Sequence, residues 1–230
     1  MLTIAVSANM QYAMEELAQA FTDSTGFPCE LVVASSGKLT AQIIEGAPFD
    51  LFLSADMKYP EKIFSRGMAY GKPEVYAHGY LVFWSLDKAQ NLSRSGLLSD
   101  EVKHIAIANP ETAPYGAAAV DLLKAMGVFE QVEGKLVYGE SIAQTNQFIL
   151  SGTAEAGITA RSVVLSSAAA NRGRWTEADS SLYKPIAQGL VVLKNDKQRL
   201  DRALAFSAFL RSPSAKEILH KFGYGIDEIR

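Results

Sequence analysis

Short β-branched runs alternate with longer helical stretches along almost the whole chain, and that alternation narrows the possible folds more than any other feature. Thr3 to Val6 reads as a strand. It is followed by a helix whose apolar positions Met10, Met14, Leu17, Ala18 and Phe21 keep helical spacing as far as Gly26. Glu30 to Ala34 is a second strand, and Leu39, Ile43 and Ile44 mark a helix that Gly46 stops. Asp50 to Ser54 is a third strand. The helix expected from Ala55 to Gly67 carries Pro60 in its first turns, where the missing N–H would be unpaired anyway.

A second series begins near Gly79. Tyr80 to Ser85 and His104 to Ala108 read as strands, Ala117 to Met126 as a helix closed by Gly127, and Lys135 to Tyr138 as a further strand. A helix from Ile142 to Leu150 and a strand from Ala156 to Thr159 continue the pattern. Ile186 to Leu193 is the longest apolar run of the second half, and the tail holds two helices, Gln198 to Leu210 and Ser214 to Phe222, split by Ser212-Pro213. The succession predicts an α/β fold with mostly parallel sheets. Because three strand–helix units are complete before the second series starts, two lobes fit better than one sheet. Residues 1–78 with 195–230 are expected to form lobe I and residues 79–194 lobe II, the tail helices returning to the first set.

Composition removes several function classes. With 20% charged residues and a net charge of −3, the totals imply no basic surface for nucleic acid. The single cysteine, Cys29, excludes an internal disulfide and a cysteine-based zinc site within one chain. His78, His104 and His220 lack metal-ligand spacing. No apolar run reaches the roughly 18 residues that a membrane helix needs. Met1 is followed at once by strand-like residues with no basic segment or long apolar run, so a cytoplasmic protein and an exported one whose leader has been removed are both open.

In open α/β sheets ligands collect beyond the carboxyl ends of strands, where helices begin. Four such junctions carry small polar residues: Ser7-Ala8-Asn9, Ala34-Ser35-Ser36-Gly37, Thr112-Ala113-Pro114-Tyr115-Gly116 and Gly139-Glu140-Ser141-Ile142. Each offers backbone N–H groups and the positive end of a helix dipole, the chemistry of an anion site. Ser, Thr and Asn are also ordinary helix caps, so no single junction identifies a ligand. Four of them, two in each expected lobe, favour a ligand in the cleft between lobes.

Two enzyme patterns come close. Ser36-Gly37-Lys38-Leu39-Thr40 lacks the upstream glycine of a phosphate loop, Val32 standing there, and Leu39 replaces the hydroxyl residue after the lysine. Lys38 therefore reads as a solvated helix residue. Gly139-Glu140-Ser141-Ile142-Ala143 approximates a nucleophile elbow between strand and helix, and a serine hydrolase with Ser141, Asp201 and His220 can be drawn. His220 nevertheless keeps surface-helix spacing with Glu217 and Lys221.

Longer segments carry a resemblance. Thr3-Ile-Ala-Val-Ser-Ala-Asn9, Ala34-Ser-Ser-Gly-Lys-Leu39, Gly46-Ala-Pro-Phe-Asp-Leu-Phe-Leu-Ser-Ala-Asp56 and Asn109-Pro-Glu-Thr-Ala-Pro-Tyr-Gly116 run in order. Ala154-Glu-Ala-Gly-Ile158 and Phe222-Gly-Tyr-Gly225 complete them. Together they resemble the periplasmic molybdate-binding proteins of ABC transporters, within the class II periplasmic binding-protein fold. The resemblance implies a two-lobed binding protein, not an enzyme, with no cofactor. It would bind molybdate or tungstate in the interlobe cleft and deliver it to a membrane permease, closing about a hinge near residues 78 and 194. It further implies a periplasmic monomer whose export signal is absent from this sequence, with no nucleic-acid partner.

Carried over by position, the oxyanion would be held by Ala8 and Asn9 (backbone N–H and the Asn side chain), Ser36 (hydroxyl and N–H), Tyr115 and the N–H of Ile142. Molybdenum would thus be bound only as its oxyanion, through Asn9, Ser36 and Tyr115. Part of the family places a tyrosine ligand where this chain has Ala160, and Tyr115 would supply that phenol from another loop. A sulfate-type receptor is the alternative within the same class. Neutral donors suit a fully ionised dianion, each charge-assisted bond contributing roughly 1.5–3 kcal/mol. They select against phosphate, which keeps a proton part of the time and needs an acceptor. Sulfate must then be rejected by size, and molybdate and tungstate, nearly equal in size, should be poorly distinguished.

Overall fold

The computed structural model describes residues 1–226. The chain divides into two units, Met1–Gly79 with Ala187–Arg230, and Tyr80–Ile186. Strands and helices alternate through the first part: β1 (Leu2–Ser7), α1 (Gln11–Thr25), β2 (Cys29–Ala34), α2 (Ser36–Ile44), β3 (Leu51–Ser54), α3 (Lys58–Ser65) and β4 (Glu74–Gly79). The second unit begins with β5 (Leu81–Ser85), α4 (Arg94–Leu98), β6 (Ile105–Ala108), α5 (Pro114–Ala125) and α6 (Phe129–Val132). It continues with β7 (Leu136–Gly139), α7 (Ile142–Leu150), β8 (Ala156–Ala160), α8 (Arg161–Val164) and β9 (Arg174–Glu177). The chain returns through β10 (Ile186–Val192) to α9 (Lys197–Phe209) and α10 (Pro213–Lys221).

The first sheet has the order β2-β1-β3-β10-β4 and the second β7-β6-β8-β5-β9. Both are mixed. β1 runs parallel to β2 and β3, and β6 parallel to β7 and β8, as βαβ connections require. The strands next to the crossings run the other way: β10 is antiparallel to β3, and β5 to both β8 and β9. The second crossing falls at Ile186–Ala187 rather than near Lys194. Pairing explains the difference. Gly189 lies opposite Ser54 and Val192 opposite Leu51, which makes β10 a strand of the first sheet for most of its length.

Side-chain alternation covers both faces of the first sheet. Leu2, Ile4 and Val6 of β1 pack with Met14, Leu17 and Phe21 of α1, Phe206 of α9 and Leu219 of α10. On the opposite face Ala5 and Phe52 pack with Leu39 and Ile43 of α2 and with Tyr59 and Ile63 of α3. At roughly 1.5–3 kcal/mol per fully buried large apolar side chain, these two layers supply most of the unit's cohesion. They also hold the carboxyl ends of β1 and β2, where the chain turns into helices. α3 starts three residues later than its apolar pattern suggests, because Ala55 to Met57 bend before it and Asp56 Oδ1 accepts the N–H of Tyr59 at 3.3 Å. α5 instead starts three residues early, with Pro114 as its first residue.

Candidate functional site

Each junction singled out in the sequence lies at the start of a helix. In the first unit β1 ends at Ser7, and one 3-10 turn, Ala8–Met10, leads into α1. Early N–H groups of such turns have no partner within the helix. The Asn9 side chain, 2% exposed, is committed to its own unit: Nδ2 donates to Gln188 Oε1 at 2.8 Å and to Tyr224 Oη at 3.0 Å. Its Oδ1 accepts from Ser7 Oγ at 2.8 Å, while the Tyr224 hydroxyl donates to the Asn9 carbonyl at 2.9 Å. Both amide hydrogens are thereby used, so the side-chain donor expected of Asn9 is engaged in fixing the turn.

Ser36 is the first residue of α2 and is 1% exposed. The N–H of Ala55, just beyond β3, donates to Ser36 Oγ at 3.1 Å, which anchors the oxygen through a lone pair and leaves its proton to donate. The neighbouring cap residue Ser35 makes no capping bond, and its buried Oγ has no partner. Burial pushes the Asp56 carboxyl up from its ordinary value, against the pull of the Tyr59 N–H and the Ser54 hydroxyl. Lys38 is exposed, as its place in the failed phosphate-loop pattern implies.

In the second unit Tyr115 is the second residue of α5 and only 2% exposed, so its ring and hydroxyl lie inside the protein rather than in water. A β-carbon on the next residue, Gly116, would collide with the carbonyl oxygen of Ala108. Only glycine lets α5 approach the end of β6 this closely, and that approach fixes where Tyr115 emerges. Ile142 is the first residue of α7 and buried, after an extended Ser141 whose side chain makes no capping bond. Ala160, the last residue of β8, is buried and brings no phenol. The cation beside it is occupied: Arg161 donates to Glu177 at 3.1 Å and lies 4.2 Å from the centre of the Tyr80 ring.

The hydrolase constellation has no support. Ser141 belongs to the second unit and its carbonyl accepts both the N–H and the hydroxyl of Thr145, whereas Asp201 and His220 are exposed on α9 and α10 of the first. Among the described residues no cluster of three His, Cys, Asp or Glu could hold a metal ion. Gln188 is the member of the Asn9 network that motif reading passes over, while Tyr224 falls in the Phe222–Gly225 segment but is not read as a site residue. The available signal was a lone amide in an otherwise apolar strand, since a buried polar group requires a partner.

The family described as bacterial extracellular solute-binding protein matches residues 2–225. The chain belongs to that family. The molybdate-binding protein ModA of Rhodobacter capsulatus is 40% identical to this solute-binding protein over 221 residues, which are 96% of this chain and 86% of that one. Among solved structures, the periplasmic molybdate-binding protein of Azotobacter vinelandii superposes with a TM-score of 0.92 at 32% identity, covering 99% of this chain and 100% of its own. The sulfate-binding protein SubI of Mycobacterium tuberculosis shares the fold, with a TM-score of 0.84 at 13% identity, 99% of this chain and 87% of that one.

Proposed function

We propose that this protein binds molybdate, and tungstate with similar affinity, as a dianion, and delivers it outside the cytoplasm to the permease of an ABC importer. It acts as a monomer and binds no nucleic acid. The observation that carries this reading is the match to the Azotobacter periplasmic molybdate-binding protein along 99% of the chain. Its proposed donors are the N–H groups of Ala8 and Asn9, the hydroxyl and N–H of Ser36, the Tyr115 phenol and the N–H of Ile142. All are neutral, and Arg161, the residue after Ala160, is paired with Glu177. A dianion held this way is stabilised by converging charge-assisted bonds rather than by a counter-ion.

Titration calorimetry with molybdate, tungstate and sulfate tests the reading. Molybdate and tungstate should agree within about tenfold. Sulfate should bind at least about 10-fold more weakly, because an ion too small to meet every donor forfeits at least one charge-assisted bond. Sulfate binding tighter than molybdate would make this a sulfate-type receptor, and no heat with any of the three would end the proposal.

Tyr115→Phe removes one donor while keeping the buried ring. The expected loss of molybdate affinity is about 10- to 150-fold, the equivalent of roughly 1.5–3 kcal/mol for a charge-assisted bond out of water. Ser36→Ala, measured beside it, should weaken binding as well. A Phe variant within about twofold of the unsubstituted protein, next to a weakened Ser36→Ala, would keep the anion site and take Tyr115 out of it.

A further inference from the structure

Gln188 is fully buried in β10, whose other residues from Ile186 to Val192 are apolar or glycine. The strand does not need the amide for pairing, since Gly189 to Val192 are already in register with β3. The side chain instead spans two places. Its Oε1 accepts from Asn9 Nδ2 at 2.8 Å, and its Nε2 donates to the Ala55 carbonyl at 3.4 Å. The N–H of the same Ala55 donates to Ser36 Oγ at 3.1 Å. A continuous path of hydrogen bonds therefore runs from Tyr224 through Asn9, Gln188 and Ala55 to the Ser36 hydroxyl.

The support behind this path is stiff. A β-carbon at Gly189 would come within 2.7 Å of the Asp56 carbonyl oxygen, 2.8 Å of Met57 Sδ and 2.9 Å of Pro60 Cγ, so β10 is pressed against the segment that carries Ala55. A side chain held at both ends between packed elements works as a spacer. We infer that Gln188 is a positioning residue, which sets the separation between the Ala8–Asn9 turn and the Ser36 hydroxyl and so makes the first unit reject tetrahedral dianions smaller than molybdate. The inference rests on the function proposed above. Fixed donors cannot follow a smaller ion inward, and the bonds left long are lost to it. Without the spacer the two donor groups gain the freedom to close on sulfate.

The test is the ratio of molybdate to sulfate affinity in Gln188→Met, which keeps the length of the side chain and removes both hydrogen bonds. Molybdate is measured by calorimetry and sulfate by thermal shift at high concentration. Molybdate affinity should fall about 10-fold or more, while sulfate affinity stays level or rises, so the ratio falls by at least tenfold. A purely structural amide would lower the melting temperature and leave the ratio within about twofold, which overturns the inference. Should Gln188→Met fail to fold, Tyr224→Phe interrupts the same path from its other end with the ring retained. There the ratio should fall about threefold, and an unmoved ratio again decides against the spacer. An unsubstituted protein that takes up no molybdate overturns both this inference and the functional reading, a result distinct from a binding parent with an unmoved variant.

Discussion

With Ser36 in the proposed site, Ser36→Asp should lower the affinity for molybdate about 1,000-fold at pH 7 and regain about tenfold of it on going to pH 6. Two routes are open to the variant. If its carboxylate stays charged about 4 Å from a dianion, repulsion at an effective dielectric near 20 costs about 8 kcal/mol, roughly 4 for each unit of charge. If it takes up a proton, the cost at pH 7 is set by the distance from an ordinary carboxyl value of about 3.9, which is roughly 4 kcal/mol. The cheaper route wins, and about 4 kcal/mol is close to 1,000-fold. Binding by this route takes up a proton. The anion raises the variant's carboxyl pKa, so affinity grows as pH falls, whereas a site of neutral donors keeps its affinity across the same window.

Ser36→Asn separates charge from size. It is neutral and nearly isosteric with the aspartate, so its loss should stay within the roughly 10- to 150-fold expected for one charge-assisted bond. Calorimetry at pH 6 and pH 7 distinguishes the cases. An aspartate variant within about tenfold of the parent at pH 7, or one weakened without a pH slope, would place Ser36 away from the anion. The serine is well suited to the comparison because its oxygen already accepts the Ala55 N–H, a bond that a carboxylate can accept in its place.

Period and punctuation made much of the fold readable. α7 runs from Ile142 to Leu150 and α10 starts behind Ser212, whose Oγ accepts the Ala215 N–H at 3.2 Å, both as apolar spacing and cap residues indicate. β9 was not readable, and its residues show why. Arg174 to Glu177 form an edge strand with mostly exposed side chains, so no apolar alternation marks it. The second crossing was misplaced for a related reason. The run from Ile186 to Leu193 reads as a buried strand wherever it belongs, and only its pairing with β3 assigns it to the first sheet.

The same division runs through the site. Helix-start residues such as Ser36, Tyr115 and Ile142 stand out because the chain must turn there and small polar or N-terminal residues gather. What holds the Asn9 turn does not stand out. Asn9 meets Gln188 across 179 positions and Tyr224 across 215, and no local spacing rule joins residues so far apart. Sequence logic therefore takes the Asn9 side chain for a ligand donor, whereas the folded chain spends both its hydrogens on the scaffold.

Phe206→Ala should destabilise the first unit by about 3–5 kcal/mol, the usual cost of emptying a phenylalanine site in a packed core. Phe206 is fully buried on α9, edge-on to Phe21 of α1 with ring centres 5.0 Å apart, and Phe209 meets Phe21 at 5.6 Å. Neither ring can slide into the gap without giving up the other contact. This is the layer beneath β1, so it also supports the strand end from which the Ala8–Asn9 turn springs. At about 2–4 °C per kcal/mol for a chain of this size, the melting transition seen by circular dichroism should fall by roughly 10 °C. Tryptophan emission gives the contrast, because Trp84 and Trp175 both belong to the second unit. Its transition should move less than the dichroism, since the two units need not unfold in one step. A dichroism midpoint lowered by less than about 2 °C would mean that the core closes over the gap. Equal shifts in both signals would mean that the second unit does not outlast the first.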